Sequence, residues 1–217
     1  MSALPDTKGR CYFCTKDVGR ANLKACSQCR LVKYCSKECQ RAAWPAHKTR
    51  CILGSAVTRD MGAADEEFST AMSKWMNCWR GTLALFCVPA MDLPNHPPNR
   101  LSTHCVAIEL KRNSNAPTRA QAFSMVQGAI MSRQDFTRLI LADIYSEEAI
   151  EAWEKDNRGD HSLQVCIGCE NHMRFVWLQM SEENIQYFRS MNPAETAYLA
   201  AVWEKELIEK IASGEPA

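Results

Sequence analysis

Residues 11–51 read CYFCTKDVGRANLKACSQCRLVKYCSKECQRAAWPAHKTRC, and this stretch decides the fold of the first part of the chain. Its candidate metal ligands form four pairs: Cys11 and Cys14, Cys26 and Cys29, Cys35 and Cys39, His47 and Cys51. Two intervening residues put a pair of sulfurs on one tight turn, and three put two ligands on one face of a helix. Eight ligands are enough for two closed, tetrahedral zinc sites. The spacing therefore predicts two structural zinc ions, and it leaves open whether neighbouring or alternating pairs share an ion.

The cysteine content also bears on the compartment. The 217-residue chain has twelve cysteines, seven of them within residues 11–51. The first ten residues, MSALPDTKGR, contain no apolar stretch typical of a signal peptide. The longest apolar run, residues 83–91, is less than half of the ~20 residues that span a bilayer. We therefore expect an intracellular protein, of the nucleus or the cytoplasm, that makes no membrane contact and whose clustered cysteines bind metal.

The residues between the ligands resemble a known zinc finger. Residues 34–40 read YCSKECQ, and they are followed by Trp44, His47, Lys48 and Cys51. This order is similar to the MYND pattern, CxxC…CxxC…YCSxxCQ…W..HK..C, over residues 11–51. The resemblance implies that alternating pairs share an ion. One zinc ion would be held by Cys11, Cys14, Cys35 and Cys39, and the other by Cys26, Cys29, His47 and Cys51.

Local signals place a short helix inside the finger. Ser36 is suited to cap a helix that carries Gln40 and Trp44. Pro45 is expected to break or restart this helix before His47. Because the segment is too short to build its own core, we expect zinc to supply most of its folding free energy, on the order of 10 kcal/mol per site. Eight ligands for two ions leave no position open for water, so the sequence predicts no catalytic zinc.

The resemblance also implies a partner. MYND fingers bind short proline-containing peptides of the PxLxP type in a shallow groove, and the matching positions here are Gln40 and Trp44. An indole offers a flat apolar platform for a proline ring, and an amide can fix an extended backbone. The alternative is that Trp44 packs inside the finger and Gln40 caps a carbonyl group. We expect a protein partner with a proline-rich motif, and we do not expect DNA, because no recognition helix is evident.

Charge separates the two parts of the chain. Residues 1–51 contain eleven Lys or Arg and three Asp or Glu, a formal charge of +8, whereas the remainder carries −7. Four basic residues are expected to form a solvated rim that favours acidic flanks on a partner: Arg30, Lys33, Lys37 and Arg41. A further hypothesis is that the finger docks on its own acidic domain and masks the groove.

The remaining residues predict an α+β fold. Residues 54–63 are small and weakly patterned, which is typical of a linker between a finger at 1–53 and a domain at 64–217. Helical spacing predicts one helix from residue 68 that ends near Gly81, a second over residues 83–91, and later helices over residues 138–153 and 193–212. Strands are predicted over residues 105–110, 122–130, 163–167 and 173–180. Four strands flanked by helices favour a mainly antiparallel sheet.

Two further motifs are interpreted as structural. Residues 166–172 contain Cys166-x2-Cys169-x2-His172, which resembles half a metal site, but side chains alternate between the faces of a strand, so we expect a hairpin with a buried thiol. Residues 95–99, NHPPN, faintly resemble the asparagine–histidine motif of SET methyltransferases. The cysteine of that motif and a glycine-x-glycine turn for the methyl donor are missing. Three other cysteines are expected in the core: Cys78, Cys87 and Cys105.

Together these patterns predict a protein-interaction adaptor that is not an enzyme. Its finger would recruit a proline-containing segment, in a role that includes transcriptional regulation, and its acidic domain would make a second contact. The main alternative is an enzyme whose active site lies in residues 64–217, with the finger as its docking module. A nucleic-acid-binding regulator is a third possibility, for which binding would depend steeply on salt. The oligomeric state stays open.

Overall fold

Two units make up the fold of the chain. The computed structural model describes residues 9–29, 32–58, 63–142, 144–155, 159–170 and 172–217. The finger unit comprises Met1–Asp60 and Leu141–Asp156, and the sheet unit comprises Met61–Ile140 and Asn157–Ala217. This division differs from the limits 1–53 and 64–217 expected from the sequence, because a segment from the second half of the chain packs in the finger unit.

A short strand pair and a long helix begin the finger unit. Strand β1 (Lys24–Ala25) pairs in antiparallel orientation with β2 (Lys33–Tyr34), and helix α1 spans Lys37–Thr58. The Ser36 hydroxyl accepts a hydrogen bond of 3.2 Å from the backbone N–H of Cys39, which caps the first turn of α1. The apolar interior of this stretch is small, and it consists mostly of the candidate ligands themselves.

Helix α1 is longer than expected. It continues through Pro45, so the prediction of a break before His47 is wrong. A proline inside a helix costs about 3 kcal/mol, but Cys39 before it and His47 after it are both fixed in metal-ligand clusters, and a structural zinc contributes roughly 10 kcal/mol. Residues 54–58 of the expected linker continue α1, and Ala63 already belongs to the next helix. Residues 59–62 lie outside the described part of the chain.

Helix α2 (Ala63–Cys87) supplies a long apolar face to the core of the sheet unit. Its side chains at helical spacing are almost fully buried, among them Trp75, Trp79 and Leu83. The prediction that Gly81 ends this helix is wrong. A glycine inside a helix costs about 1 kcal/mol relative to alanine, whereas burying each large neighbour stabilises by ~1.5–3 kcal/mol. The expected second helix is replaced by the end of α2 and the 3-10 turns Pro89–Met91 and Leu93–Asn95.

A four-stranded sheet forms the centre of the sheet unit. After the short helix α3 (Arg100–Thr103) come β3 (His104–Arg112) and β4 (Phe123–Ser132), an antiparallel pair with a bulge between Glu109 and Leu110. Helix α4 (Arg133–Phe136) and a π-helical turn (Thr137–Leu141) follow.

A helix in the connection from β4 to the third strand of the sheet belongs to the finger unit. Helix α5 (Glu147–Lys155) packs against α1. Its buried side chains are Ala149, Ala152 and Trp153, and its exposed face carries mainly glutamates. The finger unit therefore gains apolar contacts that residues 11–51 cannot supply.

The third and fourth strands complete the sheet. Strand β5 (Ser162–Cys169) lies parallel to β3, and β6 (His172–Gln179) forms an antiparallel hairpin with β5. The strand order is β4-β3-β5-β6, so two of the three pairings are antiparallel. The expected α+β class with a mainly antiparallel sheet is confirmed.

Two helices close the sheet unit. Ser181 caps α6 (Glu182–Ser190), Asn192 caps α7 (Pro193–Ser213), and Gly214 ends α7 in the left-handed conformation with a φ of 74°. Helix α7 packs on β4 through its buried face. Within the described residues, no helix combines the length and the apolar character needed to cross a membrane.

We expect the substitution Gly128→Ala to destabilise the sheet unit by about 1–3 kcal/mol, because overpacking displaces well-packed neighbours. A β-carbon at Gly128 would lie 2.6 Å from the Trp203 ring of α7 and 2.7 Å from the Met125 methyl group. The control is Gly168→Ala on β5, where nothing lies within 4 Å of the added carbon. Urea unfolding measures both variants. Equal midpoints for Gly128→Ala and the wild type would contradict this packing.

Candidate metal centre

The eight candidate ligands form two separate clusters. The four-cysteine cluster consists of Cys11, Cys14, Cys35 and Cys39, and the histidine cluster consists of Cys26, Cys29, His47 and Cys51. Within each cluster the four ligand atoms all lie within 4.8 Å of one another. The first and third pairs of the sequence therefore meet, as do the second and fourth. This is the interleaved arrangement that the resemblance implies.

The distances in the four-cysteine cluster fit tetrahedral coordination. The sulfurs of Cys14 and Cys35 are 3.7 Å apart, and those of Cys35 and Cys39 are 3.5 Å apart. Zinc–sulfur bonds of ~2.3 Å at tetrahedral angles set two sulfurs about 3.8 Å apart. A disulfide would bring them to about 2.05 Å. These thiols are therefore spaced for a shared zinc ion.

The histidine cluster fits the same test. The sulfurs of Cys26 and Cys51 are 3.7 Å apart, and the sulfur of Cys29 lies 3.6 Å from Nε2 of His47. With a zinc–nitrogen bond of ~2.1 Å, tetrahedral geometry predicts about 3.6 Å between nitrogen and sulfur. All four residues are buried. The finger thus carries two zinc-binding clusters, one of four thiols and one of three thiols and an imidazole.

Ionisation of all the thiols in one cluster requires a bound cation. Burial tends to raise the pKa of Cys11, but backbone N–H groups, those of Cys35 and Cys14 foremost, outweigh it and lower the pKa to about 6. Hydrogen bonds that the Cys35 thiol makes with the sulfurs of Cys39 and Cys11 raise the pKa of Cys35 to about 12. Burial and the nearby Cys29 charge raise the pKa of Cys51 to about 12. Thiols packed this closely resist ionising together, because the resulting negative charges repel one another. The charge of a bound zinc ion offsets this repulsion, so that its thiol ligands lose their protons.

The two residues expected to contact a peptide lie on α1 beside the histidine cluster. Gln40 is half-buried, and its amide Nε2 donates a hydrogen bond of 3.8 Å to the Cys26 sulfur. Trp44 is 38% exposed, and its ring meets the His47 ring edge-on with centroids 6.0 Å apart. Trp44 therefore does not pack fully inside the finger, and Gln40 contacts a ligand sulfur.

An aromatic group around His47 was not expected from the sequence. The rings of Tyr12, Tyr34 and Trp44 each have their centroid within 5.9–6.0 Å of the His47 ring centroid. Tyr34 is buried, whereas Tyr12 is 37% exposed. For Tyr12, the sequence shows only an aromatic residue between the first two ligands. The orientation of its ring is set when the zinc loop folds, so the contact with His47 could not be predicted.

The motifs interpreted as structural take structural positions. Cys166 and Cys169 are buried on β5, and the His172 ring stacks on Phe68 at 4.1 Å. Within the described residues these three groups do not form a metal-ligand cluster. Asn95 of the NHPPN segment donates hydrogen bonds to the Asp92 carboxylate and the Pro193 carbonyl, and so ties a 3-10 turn to α7.

This interleaved two-zinc finger has a known family counterpart. Residues 11–51 match the family model of the MYND finger. The chain therefore carries a MYND-type zinc finger, which is a protein-interaction module. No solved structure matches the chain.

The curated relatives share the finger and little more. Histone-lysine N-methyltransferase SMYD3 of Homo sapiens is 56% identical over 34 residues, which make up 16% of this chain and 8% of that protein. SET domain and MYND-type zinc finger protein 6 of Schizosaccharomyces pombe is 42% identical over 41 residues, 19% of this chain and 8% of that protein. Dauer abnormal formation protein 25 of Caenorhabditis elegans is 46% identical over 63 residues, 29% of this chain and 15% of that protein. The matched part thus spans less than a sixth of each of these relatives.

The prediction that this chain is not an enzyme is contradicted by the names of relatives that match 16–20% of the chain. Several relatives are named as methyltransferases, among them the human SMYD3 and N-lysine methyltransferase SMYD2-A of Danio rerio. These proteins join the same type of finger to a catalytic function. A MYND finger with two closed zinc clusters is therefore no indication that a protein lacks enzymatic activity.

We expect loss of one ligand to remove one zinc ion and unfold part of the finger. Cys29→Ser should lower the zinc content from two ions to about one per chain, because a hydroxyl is a poor substitute for a thiolate. Cys87→Ser is the matched control, since Cys87 is a fully buried thiol of the sheet unit. The zinc content of the intact purified chain is measured by inductively coupled plasma mass spectrometry. Unfolding of the finger is measured by amide hydrogen exchange in α1. Two retained zinc ions in Cys29→Ser, or equal losses in both variants, would contradict the assignment.

Proposed function

We propose that the MYND finger recruits a protein partner by binding a proline-containing, PxLxP-like segment through Gln40 and Trp44. The observation that carries this proposal is the state of Trp44, which is 38% exposed while its ring rests edge-on against a zinc ligand. An exposed indole that is already held in place loses little conformational entropy when a proline ring stacks on it. The eight clustered residues act as structural zinc ligands in this proposal.

Gln40 supplies a polar contact next to this platform. Its amide nitrogen points to the Cys26 sulfur, so its carbonyl oxygen keeps its capacity to accept a hydrogen bond. The backbone N–H groups of an extended peptide are suitable donors. Trp44 lies one helical turn further along α1 and therefore on the same face. An apolar platform beside a fixed acceptor suits a proline followed by an extended residue.

The charges around the platform favour an acidic partner. Lys37, Arg41 and Lys48 are exposed on α1 and, with Trp44, recur at spacings of three and four residues. They therefore follow one face of the helix. Exposed ion pairs contribute about 0–1 kcal/mol each, so acidic flanks would adjust the affinity while the apolar contact sets it. The thiolate ligands suit a reducing compartment, in keeping with an intracellular partner.

The relatives named as methyltransferases share only the finger with this chain, so their activity is not carried over to the sheet unit. What those proteins have in common with this chain is a module that docks another protein. The sheet unit would then act on, or bind beside, the docked partner.

We expect Trp44→Ala to weaken binding of a PxLxP peptide about tenfold or more, since it removes the stacking surface. Gln40→Ala should weaken it by roughly three- to tenfold, the range for one lost hydrogen bond. The assay is fluorescence anisotropy of labelled 12-residue PxLxP peptides, with acidic and with neutral flanks, titrated with the intact zinc-loaded chain.

Tyr198→Ala is the matched control, because Tyr198 is a 65% exposed aromatic residue on α7. It should bind as the wild type does. A wild-type chain with two zinc ions that binds none of the peptides would refute the proposal, and so would equal affinities for Trp44→Ala and the wild type.

A further inference from the structure

Tyr12 is an exposed aromatic residue that lies beside the same zinc ligand as Trp44. Its ring centroid is 5.9 Å from that of His47, with an angle of 63° between the two rings. Its ring also meets the buried Tyr34 edge-on at 5.8 Å. With 37% of its surface exposed, Tyr12 combines packing contacts on one side with an open side, as Trp44 does.

A hydrogen bond also holds the backbone of Tyr12. Its N–H donates a hydrogen bond of 2.9 Å to the carbonyl of Lys33 on β2. It directly follows Cys11, a ligand of the four-cysteine cluster. Both clusters therefore position this ring, one through the neighbouring ligand and the other through His47. A side chain fixed in this way can contribute to binding at low entropic cost.

Both rings lie within reach of one short extended peptide. Because each ring centroid lies close to 6 Å from that of His47, the Tyr12 and Trp44 centroids are at most about 12 Å apart. A polyproline II segment rises ~3.1 Å per residue, so four residues cover about 12 Å. One peptide can therefore contact both rings with residues no more than four positions apart.

We infer that Tyr12 is a second contact point for the bound peptide and takes an apolar residue within four positions of the proline that stacks on Trp44. This inference rests on the proposed function and adds a specificity-determining residue to it. The ligand class becomes narrower as a result. It is an extended segment with two apolar residues no more than four positions apart, and a single exposed proline does not suffice.

Phe13 provides a matched comparison for Tyr12. It is the next residue in the sequence, it is 49% exposed, and in the described part of the chain it makes no ring contact with His47. Both aromatic residues lie in the same zinc loop between Cys11 and Cys14. If these substitutions acted only by disturbing the loop, Tyr12→Ala and Phe13→Ala should weaken peptide binding alike.

The test uses the intact chain and a labelled 12-residue peptide with one PxLxP core between acidic residues. We expect Tyr12→Ala to raise Kd about tenfold, and Phe13→Ala to change it less than twofold. Zinc content is measured for each variant and should stay at two ions per chain. Tyr12→Leu serves as a second variant, because it retains apolar bulk against Tyr34 and removes the flat ring.

A double-mutant cycle separates a direct contact from an indirect effect. In the wild type, replacing the peptide leucine and second proline with alanine should weaken binding, and in Tyr12→Leu the same replacement should have a clearly smaller effect. Equal effects in both backgrounds would overturn the inference, as would equal losses in Tyr12→Ala and Phe13→Ala. If Trp44→Ala weakens binding and the Tyr12 variants do not, the inference fails and the proposed function stands. If the wild type does not bind, both fail.

Discussion

Coordination of two zinc ions by seven thiolates and one imidazole is the interaction on which the finger depends. Among the described residues of 11–51, buried apolar side chains are few, and most of them are the ligands themselves. Interleaved pairing ties the start of the segment to its middle and its middle to its end. It also lets α1 run through Pro45, because ligands hold the helix on both sides of the proline.

The proposed recognition surface surrounds one of the two clusters. Nε2 of His47 lies 3.6 Å from the Cys29 sulfur, and the His47 ring also meets the exposed rings of Tyr12 and Trp44. Gln40 reaches the Cys26 sulfur of that cluster. A peptide that binds these side chains therefore meets groups that are already ordered. In the proposed function, this arrangement couples structural metal binding to partner recognition without placing the metal in contact with the partner.

Sequence patterns predicted the parts of the fold that depend on spacing. Ligand intervals indicated two zinc sites, and the resemblance implied their interleaved pairing. Short apolar runs between turn residues indicated the four strands, because such runs are local properties of the chain. Helix ends were less predictable: Gly81 and Pro45 are unfavourable locally, but Trp79, Leu83 and the ligands outweigh them. The packing of α5 in the finger unit and the position of Tyr12 depend on contacts between distant segments, which no local pattern encodes.

The most direct test of the two-cluster arrangement is cadmium-113 NMR of the chain with both zinc ions replaced. The account predicts two resonances, one typical of four sulfur ligands and one typical of three sulfurs and a nitrogen. In His47→Cys, the second resonance should move to the four-sulfur range while the first keeps its position, since only the histidine cluster changes. A single resonance, oxygen ligation in either site, or a shift of both signals in His47→Cys would contradict it.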